Sequence, residues 1–141
     1  MCEGDYLNNT IMMRSEHITI LEEQVRQNYP LESCALILGT KIGNQFQVCE
    51  IEKMNNHGDS KYYFEMDSDE LLEAYKKSSR EGIDIIGVFH SHLEDADPSA
   101  TDLIYMEINP IVWIIYSYKR KKFQAYLSDE KIVRVPIMVK D

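Results

Sequence analysis

An α/β fold, with one mixed and mostly antiparallel sheet flanked by helices, is what the sequence predicts. Three observations carry that expectation. Short apolar runs of strand length alternate along the chain with stretches whose apolar residues recur at helical spacing. With 141 residues and 44% hydrophobic content, the chain can bury one sizeable core. No internal repeat, low-complexity tract or long linker divides it, so residues 1–141 read as a single domain.

The elements follow in order. Ile18, Leu21 and Val25 mark a helix over about 17–28, and Pro30 ends it. SCALILG (33–39) is a buried strand closed by Gly39, and 40–44 is a turn containing Gly43. FQVCEIEKM (46–54) alternates apolar and polar residues, as a half-buried strand does. After the loop NNHGDS (55–60) comes a strand-like YYFEM (62–66). Asp67 with Glu70 forms a capping box, Leu71, Leu72 and Tyr75 supply a helical apolar face, and Gly82 stops that helix. IDIIGVFHS (83–91) is the clearest strand of the chain. IVWIIYSY (111–118), FQAYL (123–127) and KIVRVPIMV (131–139) supply three more, antiparallel because their connections are short.

Composition excludes several functions. The net charge of −9 argues against binding a nucleic-acid backbone over a broad surface. The one basic run, Lys119-Arg120-Lys121-Lys122, lies between two strand-like segments and reads as a solvated hairpin turn. No stretch is long and apolar enough for a membrane span, and the N-terminus lacks a secretory pattern, so a cytoplasmic protein is expected. Cys2, Cys34 and Cys49 are odd in number and lack C-x-x-C spacing, which argues against a disulfide framework. Cys34 and Cys49 sit in apolar strand-like segments and are expected to be buried thiols. A Cys34 nucleophile would need electropositive neighbours, which the local sequence does not supply.

The chemistry concentrates in GVFHSHLEDADPSATDL (87–103). Residues i and i+2 of a strand share a face, so His90 and His92 project together and Ser91 points the other way. Two adjacent imidazoles suit a core face poorly, because each has a polar nitrogen to satisfy. Ser99 can cap a helix beginning at Ala100, which puts Asp102 in its first turn. If the six-residue loop folds back, His90, His92 and Asp102 make a three-ligand set with the fourth tetrahedral position open, as at a catalytic zinc. Other divalent metals suit such ligands too. The alternative reading is a solvated acidic loop of Glu94, Asp95, Asp97 and Asp102 that merely favours histidine protonation. Neither reading specifies a reaction.

These residues carry a resemblance. PLESCALILG (30–39) followed by GVFHSHLEDADPSATD (87–102) resembles the JAMM (MPN+) zinc metallopeptidase family, in its compact stand-alone microbial form. That family's pattern is an upstream Glu in an apolar strand region, then H-[ST]-H, a loop, and S-x-x-D. The resemblance implies a cytidine-deaminase-like MPN sandwich and spans at least residues 18–117. It implies His90, His92 and Asp102 as ligands of Zn2+. It implies Glu32 as the general base that holds the attacking water and passes its proton to the leaving amine, and Ser99 as the donor to the oxyanion. Leu93 stands where the family usually has Pro, Ala35 where Gly is common, and the loop before Ser99 is one residue short. None of these removes a ligand, the base or the serine.

The implied activity is hydrolysis after the C-terminal tail of ubiquitin or a ubiquitin-like modifier, whose conjugates would be the partners, with no nucleic acid or membrane involved. Two alternatives stand beside it: a processing peptidase for a sulfur-carrier protein of ubiquitin-like fold, and a metal-binding MPN module that recruits such proteins without cleaving them. An extended tail could add as a strand near residues 62–66.

Overall fold

The computed structural model describes residues 8–56 and 67–141. In chain order these form β1 (Thr10–Arg14), α1 (Ser15–Asn28), β2 (Cys34–Ile42), β3 (Gln45–Met54), α2 (Ser68–Glu81), β4 (Asp84–His92), α3 (Ala100–Ile108), β5 (Val112–Ser117), β6 (Lys122–Asp129), β7 (Lys131–Val135) and β8 (Ile137–Lys140). All eight strands join one sheet in the order β7-β6-β5-β4-β2-β3-β1-β8. The expected mixed α/β architecture is present. The expected strand at 62–66 lies outside the described residues.

The sheet's two ends are consecutive in sequence. Pro136 alone separates β7 from β8, yet these are the outermost strands of the order. The sheet must therefore curl until its edges approach at Pro136, whose carbonyl accepts from Ile11 N at 3.0 Å. This corrects the single strand expected over 131–139. Proline has no N–H for a ladder, so a strand pattern containing it breaks there. β8 leaves for the far edge and runs parallel to β1, a strand that the sequence pattern did not reveal. β5, β6 and β7 are antiparallel, as their short links require. β4 and β5 are parallel, and α3 provides the crossover that such a pair needs.

The sheet divides the core in two. On one face, Leu21 and Val25 of α1 pack among Ile11, Ile37, Phe89 and Ile114. On the other, Ala74 of α2 and Met106 of α3 pack with Leu36, Leu38, Val88 and Ile115. α2 ends at Gly82, whose φ of 68° supplies the left-handed cap. Its inward stripe is Leu71, Ala74 and Ser78, not the expected Leu71–Leu72–Tyr75 face, for Leu72 and Tyr75 are more than half exposed. Nor does Glu70 close a capping box. Asp67 accepts from Asp69 N, while Glu70 accepts from both the amide and the side chain of Asn55 at 2.9 and 2.8 Å.

The hairpin of β2 and β3 turns on Gly43–Asn44, with Gly43 at φ 59°, so both strands run further than the predicted turn allowed. Its ladder slips once. Leu38 pairs with Glu50 and Gly39 with Val48, leaving Cys49 as the extra residue of a bulge. Phe46 and Val48 face the core before it and Ile51 after it. Cys49 is thereby exposed, against the expectation of a buried thiol, while Cys34 is buried as expected. Opposite the bulge, a Cβ on Gly39 would overlap the Gln47 carbonyl oxygen and lie 2.9 Å from Ile86 Cδ1. Gly39→Ala should therefore cost about 1–3 kcal/mol as an overpacking change. Urea unfolding checks this: the midpoint should fall at constant m-value, and an unchanged midpoint would show that the bulge absorbs the methyl.

Candidate active site

The site forms where β4 ends and α3 begins, at the carboxyl end of a parallel strand pair, a place where open α/β sheets commonly bind ligands. β4 holds its position here through close backbone packing: a Cβ on Gly87 would meet the Val112 carbonyl oxygen at 2.8 Å. Strand alternation sends His90 and His92 to the same face, and their Nε2 atoms lie 3.0 Å apart. Ser99 caps α3 as expected. Its hydroxyl accepts from Asp102 N at 3.1 Å, and the Asp102 carboxylate accepts from Ser99 N at 2.8 Å, a reciprocal capping box.

That box aims Asp102 Oδ2 at both imidazoles, 3.1 Å from His90 Nε2 and 3.2 Å from His92 Nε2. The three atoms form a triangle with sides of 3.0–3.2 Å. A tetrahedral zinc with ligand bonds near 2.05 Å would separate its ligand atoms by about 3.3 Å. The triangle thus fits the donor spacing that such an ion needs, with each nitrogen and oxygen of the right type. Glu32 also approaches, offering a carboxylate oxygen within 4.8 Å of both histidines. Asp102 holds ligand-edge distances to both nitrogens, so it completes the triangle better than Glu32. An open cleft lined by Glu32, His92, Leu93, Glu94, Asp95, Asp97 and Ser99 reaches this point from solvent.

The electrostatics follow from burial. His90 is fully buried, which lowers its pKa against the pull of Asp102. Burial also disfavours charge on His92, but Asp102, Glu32 and the Asp95 carbonyl outweigh it and the net shift is upward. Burial alone would raise Asp102; the close contacts with His90 and His92 and the hydrogen bond from Ser99 N hold it well below the usual carboxylate range. Glu32 is pushed up to about 7 by burial, with Asp102 adding to the shift and His92 opposing it. A dication beside it would lower that value again.

The loop between His92 and Ser99 is less free than the sequence suggests. Lys119 pairs with Glu94 at 3.3 Å and Arg120 with Asp95 at 2.7 Å, so the basic turn grips the acidic loop instead of facing solvent alone. Ser117 donates to the Glu94 carbonyl, and Tyr126 donates to the Ala96 carbonyl at 2.8 Å. One result is that the Asp95 carbonyl meets His92 Nδ1 at 3.1 Å. A proton held there leaves the Nε2 lone pair facing the triangle. The signal available in sequence was the opposite charge of 94–95 and 119–120.

A family model of prokaryotic homologs of the JAB domain matches residues 14–128, a span that contains Glu32, His90, His92, Ser99 and Asp102. The chain belongs to this JAMM/MPN family. Among its relatives is a desampylase of Pyrococcus furiosus, 27% identical over 140 residues that cover 97% of this chain and 96% of the relative. A solution structure of a protein from Desulfitobacterium hafniense is 28% identical with a TM-score of 0.83, covering 94% of both chains. A second, from Salinibacter ruber, is 23% identical with a TM-score of 0.70 over 92% of both, a likeness of fold.

Among the described residues, no cysteine is placed to act at this site. Cys34 is fully buried and its thiol is pushed up to about 12 by burial, with Glu70 and Glu32 adding to the shift. At pH 8 on the order of one molecule in 10,000 would carry that thiolate, the form that reacts. Alkylation of the native protein with iodoacetamide should therefore modify exposed Cys49 and spare Cys34, as peptide mass mapping would show. Modification of both at equal rates would contradict the burial. Separately, Ser99→Ala should lower stability by about 1 kcal/mol through loss of the cap, measured by denaturant unfolding.

Proposed function

We propose that this protein is a zinc-dependent isopeptidase that cleaves after the C-terminal tail of a ubiquitin-like modifier. Family membership and the desampylase relative support the reaction class and the kind of substrate. The observation that carries the reading is the triangle of His90, His92 and Asp102 with the Glu32 carboxylate facing it from another strand's end.

His90, His92 and Asp102 would hold the cation. When bound, zinc supplies Lewis acidity, polarising a carbonyl and bringing the pKa of water to about 7. Glu32 takes a proton from the attacking water as its oxygen bonds to the scissile carbonyl carbon. It returns that proton to the lysine or main-chain amine as the C–N bond breaks. Ser99 lines the cleft, and its hydroxyl, which accepts from Asp102 N, keeps its own proton to donate to the developing oxyanion. The cleft is open along Leu93 to Asp97, giving an extended tail room to reach Glu32.

The test is cleavage of a ubiquitin-like protein joined through its terminal glycine to a lysine side chain, beside a linear C-terminal extension of the same protein. Both assays run with and without EDTA. Chelator-sensitive cleavage of the lysine conjugate is expected. Preference for the linear extension would favour the sulfur-carrier processing role, and no cleavage of either would favour a recruiting module. Glu32→Gln should retain zinc and the fold while kcat falls about 100- to 10,000-fold, the range of a lost general base. His92→Ala should lose zinc by metal analysis. Full activity in Glu32→Gln would refute the role given to that carboxylate.

A further inference from the structure

The peptide group joining Glu32 to Ser33 is gripped at both ends by side chains. Its carbonyl oxygen accepts from Asn56 Nδ2 at 2.8 Å, and its N–H donates to Ser91 Oγ at 2.8 Å. Neither is a ladder bond, for β2 begins only at Cys34. Ser91 N in turn donates to the Ser33 carbonyl at 3.0 Å. The serine between the two histidines thus ties its strand to the residue after Glu32, once through main chain and once through its hydroxyl.

The grip is embedded in a buried polar network. Ser33 Oγ donates to the Gln24 carbonyl at 3.2 Å and accepts from Asn28 Nδ2 at 3.0 Å. Gln24 Nε2 donates to the Cys34 carbonyl at 2.7 Å. Gln24, Ser33 and Ser91 are all buried, so loss of one partner leaves a desolvated group unsatisfied.

We infer that Ser91 and Asn56 are positioning residues for the Glu32 carboxylate, an inference that rests on the base role proposed above. Glu32 stands beyond the end of β2, where no ladder bond fixes its peptide plane. A turn of that plane would swing the carboxylate relative to His90 and His92, and a misplacement near 1 Å can cost about 100-fold in rate. Because Ser91 sits between the histidines, the base and the imidazoles share one mount.

The experiment compares Ser91→Ala, Ser91→Thr and Asn56→Ala, with the alanine variants also made in a Glu32→Gln background. Ser91→Ala and Asn56→Ala should each lower kcat about 10- to 100-fold with KM and zinc per chain unchanged. Ser91→Thr keeps the hydroxyl and should restore most of kcat. In the Glu32→Gln background the alanine changes should cause no further loss, since the group they position is gone. Hydrogen exchange at the Ser33 amide should speed at least about tenfold in Ser91→Ala, with Phe89 unchanged. Unaltered exchange at Ser33 overturns the grip. An unchanged kcat, or an equal loss in the Glu32→Gln background, overturns the positioning role. If the unmutated chain cleaves no conjugate, the proposed function fails while amide exchange still decides the grip.

Discussion

One oxygen atom, Asp102 Oδ2, is where the strand, the helix and the site are joined. It accepts from Ser99 N at the start of α3 and stands 3.1–3.2 Å from both imidazoles at the end of β4. A carboxylate this buried is costly without partners, and here the partners are the site itself. The same capping box that starts the helix sets the direction of the carboxylate. Its place in the first turn adds the favourable field of the helix N-terminus. The parallel pairing of β4 with β5 makes this possible, since the crossover must leave β4 at its carboxyl end and start α3 close by.

Around that atom, two kinds of support hold the histidines. Beneath them, Ser91 and Ser33 lock β4 to the start of β2 from the opposite face. Above them, Lys119 and Arg120 grip the acidic loop and present the Asp95 carbonyl to His92. Each exposed ion pair is worth little by itself, roughly 0–1 kcal/mol. Their effect is one of placement, because the carbonyl they position selects the tautomer of His92. The buried hydrogen bonds below and the exposed pairs above therefore differ in energy but serve the same geometry.

Much of this was legible from residue patterns. The strand 83–91, the cap at Ser99 and the shared face of His90 and His92 each follow from local rules of periodicity and capping, and each stands as expected. Glu32 was different. Nothing local distinguishes it from a loop carboxylate, and only the multi-part resemblance singled it out. Errors fell where a single residue changed the phase. The bulge turned Cys49 outward, and Pro136 sent β8 to the other edge. In α2 the helix is unbroken, and it buries Ala74 and Ser78 in place of larger Leu72 and Tyr75. Size and apolarity mark a candidate core residue, but the direction of the side chain decides which one is buried.

By itself the sequence determined most element types, the cap at Ser99 and the strand that carries His90 and His92, because these depend on neighbours within a few positions. Tertiary structure alone decided that Glu32 meets the histidines, that the basic turn meets the acidic loop, and that the sheet curls onto itself. Those are contacts between residues far apart in the chain, set by strand order and register. No local propensity encodes them. They exist only once burial of the two faces has chosen one way to arrange all eight strands.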